Sequence, residues 1–346
     1  MEEWKEYKLG DVLTIKYGKD HKQLANGDIP IYGSGGIMRY GERSLYDGPS
    51  ILIPRKGSLN NVIYADKPFW TVDTMFWSII NDSIANPLFV YYSICKKDFA
   101  SLNVGSAVPS LTVPVIEDID ILLPSKATQD KVVSVLKSLD DKIELNRHIN
   151  DNLEQQAQAL FNEMFPHITE GENMIGDLIM PKRGKGLLSK NAIKGDILVV
   201  AGGIEPATYH NQANTTAPVL TIAASGANAG YINLWHIPVW ASDSSYIDDS
   251  ITPNVYFWYI MLKKRQQEIF DAQVGSAQPH IYPKHIAELP MNVVFVEKIA
   301  EYNEIVTPIF EKKGQLFLES KRLTSLRDTL LPKLMSGEVK INETNN

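Results

Sequence analysis

The sequence has a single cysteine, Cys95, among its 346 residues. No disulfide can form within the chain, which fits a reducing compartment. Long apolar runs are missing too. The longest, near Val255–Leu262, falls far short of the roughly 20 residues that cross a bilayer. The opening MEEWKEYKLG is acidic and polar, unlike a signal peptide. A cytoplasmic protein with no membrane contact is the expectation. The third absence is a basic excess: 34 Lys and Arg stand against 41 Asp and Glu, a net charge of −7. Phosphate contact usually shows as the opposite balance. What is present is ordinary, with 44% hydrophobic and 22% charged residues. This is the composition of a globular protein, and the length suits two domains.

Catalytic patterns are also scarce. The seven histidines show neither HxxxH nor HExxH spacing, and Cys95 stands alone, so no zinc site is expected. "YGSGGI" (Tyr32–Ile37) lacks the spacing of a dinucleotide or nucleotide loop and reads as a turn or a close backbone approach. "NPLF" (Asn86–Phe89) is similar to an amino-methyltransferase element, but Leu88 stands at its third position. A helix start accounts for it, with Asn86 as N-cap and Pro87 first in the helix. Glu338–Lys340 has nuclease-like ExK spacing but lies in the tail beyond Pro332. The chain is expected to hold no catalytic residues.

What the sequence does have is a repeat. With an offset of about 170 residues, words recur in the same order. "GDIPIYGSGGI" (Gly27–Ile37) faces "GDILVVAGGI" (Gly195–Ile204), and "PSILIPRKG" (Pro49–Gly57) faces "PVLTIAASG" (Pro218–Gly226). Trp70 and Asp73 face Trp240 and Asp243. "LFVYYSICKK" faces "VYFWYIMLKK", and VGSA at Val104 faces VGSA at Val274. Duplication of one arm explains this order. Within each arm, short apolar runs between Gly, Asn, Asp and Pro predict strands and turns. The aromatic segment predicts one helix with cations at its end. The expected fold class is α+β, with two pseudo-symmetric, mostly-β arms.

Between the arms, Gln129 to Phe165 contains no Gly and no Pro. Val132, Leu136, Leu139, Ile143, Asn146, Asn150, Leu153, Ala157, Leu160 and Met164 form a heptad seam. Asn146 and Asn150 are polar interruptions, expected to fix register. After the second arm, Tyr302, Ile309, Leu316, Leu323 and Leu330 recur every seventh residue. Pro308 predicts a start or kink there, and Pro332 an end before it. The two helices are expected to pair as an antiparallel coiled coil of roughly 50 Å, holding the arms apart.

Two unlike arms on one spacer suit a target with two different half-sites, such as duplex DNA. Here the sequence resembles a family. "LDDKIELNRHINDNLEQQAQALFNEMF" (Leu139–Phe165) and "LRDTLLPKLMSGEV" (Leu326–Val339) resemble the two helical signatures of Type I restriction–modification specificity (S) subunits. "YKLGDVLTIKYG" (Tyr7–Gly18) and "MIGDLIMPKRGKG" (Met174–Gly186) resemble that family's recognition-domain openings. The resemblance implies target recognition domains at residues 1–124 and 172–294, a central conserved helix at 125–168 and a C-terminal helix and tail at 295–346. It further implies a bipartite, asymmetric double-stranded DNA site, two methyltransferase (M) subunits and restriction (R) subunits. No cofactor is implied for this chain. S-adenosylmethionine belongs to the methyltransferase partner, and ATP and Mg to the restriction partner.

Charge must then be local. Residues 1–124 carry 12 Lys and Arg against 15 Asp and Glu, and residues 172–292 carry 9 against 10. Candidate DNA contacts are the clusters Lys16, Lys19, His21 and Lys22; Arg55 and Lys56; and Lys182, Arg183, Lys185 and Lys190. Ser34, Arg39 and Tyr40 are candidates around the glycine-rich turn, Arg being the common partner of guanine. Gln278 and His280 follow the second VGSA, where "QPHI" replaces "VPSL". Each also has a plain reading as a solvated surface residue. Trp70 and Trp240 read as core anchors. The competing class is a repeat-built protein-interaction scaffold with no nucleic-acid role, which the acidic total favours.

Overall fold

The computed structural model describes residues 4–105, 108–275 and 277–341. The chain divides into two compact units, Met1–Ile143 with Arg322–Asn346, and Glu144–Lys321.

In the first unit, a four-stranded sheet runs Leu13–Tyr17, Met75–Ile80, Ser50–Pro54, Ile63–Ala65 in spatial order. A three-stranded sheet runs Gly36–Gly41, Ile29–Gly33, Trp70–Thr71, the last pair parallel. Strand Lys5–Lys8 pairs with Asp120–Leu123. Ser50–Pro54 is buried at every position, so it needs apolar side chains on both faces. Its one hydroxyl is satisfied, Ser50 Oγ donating to Ser78 O at 2.8 Å. Helix Pro87–Ile94 covers the sheet. Asn86 Oδ1 accepts from Leu88 N and Phe89 N at 2.9 and 3.3 Å, as an N-cap does. Phe89, Val90 and Ile94 enter a core with Ile51, Ile53 and Phe76.

The second unit repeats the plan strand for strand. Its four-stranded sheet runs Lys182–Arg183, Ser244–Asp248, Val219–Ala223, Ile232–Trp235. Its three-stranded sheet runs Thr208–His210, Ile197–Val200, Trp240–Ala241, again ending in a parallel pair. Asn173–Met174 pairs with Pro290–Met291. Val219–Ala223 is buried throughout. Helix Val255–Lys264 buries Val255 to Leu262 without a break. Its first turn is capped from elsewhere: Asn303 Oδ1 accepts from Tyr256 N at 3.1 Å and Phe257 N at 3.3 Å.

Two long helices complete the units. The central helix is Lys126–Met164 and the distal helix Val296–Met335. In the first unit, Val132 and Leu136 share a core with Leu331 and Leu334, and Asp140 Oδ1 meets Arg327 Nη1 at 2.8 Å. In the second, Ala157 and Phe161 share a core with Tyr302 and Phe310. Tyr302 Oη donates to Ala157 O at 2.9 Å. Asn146 Nδ2 donates to Glu319 Oε2 at 2.8 Å, and Glu154 pairs with Lys313. Partner numbers fall as central-helix numbers rise, so the pairing is antiparallel. Every heptad position named above on the central helix is buried or half-buried. Asn146 is fully buried, and its Oδ1 and that of Asn150 have no bond partner among the described residues, a cost in stability that suits a register device.

The distal helix corrects one expectation. It neither starts at Pro308 nor ends before Pro332, but runs through both. Proline removes one helical bond and crowds the preceding turn. Here the flanks compensate. Thr307 Oγ1 donates to Asn303 O at 2.7 Å, and fully buried Val306 and Phe310 hold the segment in the core. Beyond Pro332, buried Leu334 does the same, and Pro332 O accepts from Ser336 N at 3.0 Å.

Candidate nucleic-acid interface

Each arm has a rim where strand ends meet turns. In the first arm, Arg55 N and Lys56 N donate to Thr74 O at 2.8 and 3.2 Å, and Arg55 O accepts from Leu111 N at 2.9 Å. The Arg55 guanidinium lies 5.5 Å over the exposed Tyr17 ring and donates Nη1 to Asp73 O at 3.2 Å. Gly57, at φ +88°, turns the chain past Ser34 so closely that a Cβ would sit 2.7 Å from Ser34 Oγ. Lys56 bridges to Ser110. Ser34, Arg55 and Lys56 therefore come together, beside a loop closed by Val104 N donating to Ser110 O at 3.0 Å. Ser106 and Ala107 of the first VGSA lie outside the described residues, as does Ser276 of the second.

A second group forms around Arg39. Its guanidinium donates to His21 O, to Leu24 O at 3.0 Å and to His21 Nδ1 at 3.2 Å. Arg39 thus pins the 19–24 loop, and most of its donors are engaged there. Lys22 N donates to Asp20 Oδ1 at 3.0 Å, which holds that carboxyl below its usual range. Lys19, Lys22 and Tyr40 are exposed on this side. Lys16 is exposed on its strand opposite Trp77, with no bond to either group among the described residues.

In the second arm, Arg183 Nη2 donates to Asp243 Oδ1 at 2.6 Å. Ser225 Oγ donates to Asp243 Oδ2. Ser225 also bridges to His280, and His280 and Val274 exchange backbone bonds of 2.8 and 3.0 Å. Arg183, His280 and the exposed Gln278 therefore share one rim. Lys182 and Lys185 are exposed beside it. Lys190 lies in the short turn Ser189–Asn191, with no contact to that rim among the described residues.

The scaffolds beneath the two rims correspond closely. Trp70 Nε1 donates to Lys19 O at 2.9 Å, and Trp240 Nε1 to Lys185 O at 2.8 Å. Both tryptophans anchor the loop that carries a candidate lysine. Tyr17, Asp73, Ser225 and Asp243 belong to the rims but were not among the sequence candidates. The repeat held the signal, since Tyr17 falls opposite Arg183 and Asp73 opposite Asp243. The described residues contain no cluster of His, Cys, Asp or Glu fit to hold a metal ion. No helix among them is long and apolar enough to cross a membrane.

Comparison with known proteins places these arms. The family model of the Type I restriction modification DNA specificity domain matches residues 1–155. A putative type I specificity subunit of Mycoplasma pneumoniae is 26% identical, over 96% of this chain and 96% of its own length. The type I restriction enzyme MjaIX specificity subunit of Methanocaldococcus jannaschii is 24% identical, over 98% of this chain and 89% of its own. In fold, the chain is similar to the crystal structure of a type I restriction–modification S subunit from M. genitalium, at TM-score 0.61 and 20% identity, covering 99% of this chain and 97% of the other. Residues 1–155 thus match a type I specificity domain, and the chain is similar over nearly its whole length to specificity subunits of type I restriction–modification systems.

Proposed function

We propose that each arm is a target recognition domain reading one half of a bipartite, asymmetric DNA site, and that the paired helices set the spacer between the halves. The observation that carries this reading is the doubled rim. One strand order holds two sets of polar side chains that agree at some positions, such as Lys16 and Lys182, but differ where Tyr17 faces Arg183 and Arg55 faces Ala224, as two different half-sites require. The exposed faces of the long helices dock two methyltransferase subunits, and restriction subunits join that complex. The chemistry and its cofactors, S-adenosylmethionine on one side and ATP with Mg on the other, belong to those partners. Neither arm carries a net positive charge. The isolated chain therefore binds DNA weakly, and its partners supply much of the phosphate grip.

The test is a genome-wide map of adenine methylation in cells that express the chain with its methyltransferase. A bipartite motif with two unlike halves and a fixed gap is expected. A single contiguous motif, or methylation indifferent to this chain, rules the reading out. In binding assays at physiological salt, the isolated chain should hold the mapped duplex at least tenfold less tightly than the complex does.

A further inference from the structure

The two rims deliver a guanidinium by different routes. In the second arm Arg183 comes from the first strand of the four-stranded sheet, where the first arm has Tyr17. In the first arm Arg55 comes from the turn, where the second has Ala224, each accepting a backbone bond of 2.9 Å through its carbonyl, from Leu111 and Ile281. Both reach the turn after the parallel edge strand, Asp73–Thr74 in one arm and Asp243 in the other. Their settings differ. Arg55 stacks over Tyr17 and donates to a carbonyl, and no carboxylate pairs with it among the described residues. Arg183 is clamped by a carboxylate that is itself clamped. Asp243 Oδ1 takes Arg183 Nη2, its Oδ2 takes the Ser225 hydroxyl, and its carbonyl accepts Ala224 N at 3.1 Å. Gly202 leaves room for this, since it lies 2.4 Å, measured from a built Cβ, from Ser225 O and 3.5 Å from Asp243 Oδ2.

An arginine held in this way is a poor phosphate ligand, because the adjacent carboxylate offsets its charge and repels the phosphate. It is a good base reader. Its side chain is 41% exposed and that of Asp243 38%, and the bond to Asp243 is the only one its guanidinium makes among the described residues. Four of its five N–H donors are left without a bond among the described residues, on a guanidinium that Asp243 holds in place. Guanine offers two acceptors, O6 and N7, that two such donors can meet, and the cytosine paired with it offers an amino donor that a carboxylate can accept.

Resting on the specificity-subunit reading above, we propose that Arg183 reads one guanine of the second arm's half-site, with Asp243 and Ser225 as the positioning residues that aim it.

The test uses the complex of the chain with its methyltransferase. Methylation and binding are measured on duplexes that vary each position of the mapped site. Arg183→Ala and Arg183→Lys are expected to relax preference for guanine at one position of one half-site by roughly 10- to 100-fold. The other half-site and the slope of affinity against salt should not change. Asp243→Asn should relax the same position, and Arg183→Ala with Asp243→Asn should lose no more than Arg183→Ala alone. Arg55→Ala should leave that position unchanged. A uniform loss over all duplexes, with the salt slope reduced by about one, would make Arg183 a phosphate contact and overturn the proposal. So would unchanged base preference in Arg183→Lys, the variant that keeps the charge if Arg183→Ala does not fold. If the unmodified complex shows no bipartite preference, the failure lies with the specificity reading rather than with Arg183.

Discussion

The turns at Arg55–Gly57 and Ala224–Gly226 sit at one place in one topology, and their glycines share a left-handed backbone, at φ +88° and +83°. Around them the backbone bonds are shared and several side chains are not. One rim has Tyr17 and Arg55 and the other Arg183, Asp243 and Ser225. Below the rim the likeness returns, with both indoles bound to lysine carbonyls and both parallel edge pairs intact. The contrast teaches where the constraint lies. Backbone paths that only glycine allows, and anchors that hold loop ends, are common to both arms. Side chains facing solvent on the same backbone are free to differ, and they are what two different half-sites would need to differ. The helix caps add a second contrast. Asn86 caps its own helix, whereas the second arm borrows Asn303 from the distal helix.

The ion pairs between the long helices offer the largest test of this contrast. In the second unit, the Glu154 carboxyl is pushed up by burial, yet Lys313 and the Tyr259 hydroxyl hold it below its usual range. Lys313→Ala would leave that half-buried carboxylate without its cation, bonded to the Tyr259 hydroxyl alone, at a cost of about 3 kcal/mol in urea unfolding. The first unit's pair, Asp140–Arg327, is more open, with side chains 32% and 23% exposed. Arg327→Ala should cost about 1 kcal/mol. Equal losses would mean the two pairs do the same work.

Next come the paired glycines. A Cβ on Gly18 would lie 2.0 Å from Val72 O, and one on Gly184 2.5 Å from Ala241 O. Both obstacles are backbone, so neither can swing aside. Gly18→Ala and Gly184→Ala should each lose about 1–3 kcal/mol, Gly18→Ala the more, seen as a lower thermal midpoint. A tolerated Gly18→Ala would show that the close approach is not required.

The smallest effect is one of pH. His236 is pushed down to about 4 by burial and then by Lys313, against a weaker pull from Glu154. Its folded value lies below its ordinary 6.5, so the fold favours the neutral ring. That stability is complete above pH 6.5 and is lost as pH falls towards 4. The urea midpoint should therefore fall between pH 7 and pH 5, and fall less in His236→Gln. Identical pH profiles for the two proteins would remove His236 from the account.

Much of the architecture was legible in the sequence. Repeated words gave two like arms, the heptads gave the central helix, and Asn86 with Pro87 marked a helix start that the structure bears out. These signals are local, a few residues each. What escaped was tertiary. Pro308 and Pro332 read as breaks, because the packing of Phe310 and Leu334 that overrides them cannot be seen along the chain. Asn303 as a cap lies 47 residues from the amide of Tyr256. Arg39 looked like a free reader, but its bonds to His21 and Leu24 depend on how a loop folds back. The rims were half legible. The basic residues stood out, while Tyr17, Ser225 and Asp243 matter only through partners that the fold supplies.

The division of the chain between the two units also sets an order of events during synthesis. The second unit is one unbroken stretch, Glu144–Lys321, whereas the first needs Arg322 onward to finish its core. Leu331 and Leu334 close over Val132 and Leu136, and Gly337 lies against Trp4, only when the last segment is made. Every residue of the second unit is therefore joined to the chain while the first still lacks part of its interior. The arm encoded first is the one whose core is completed last.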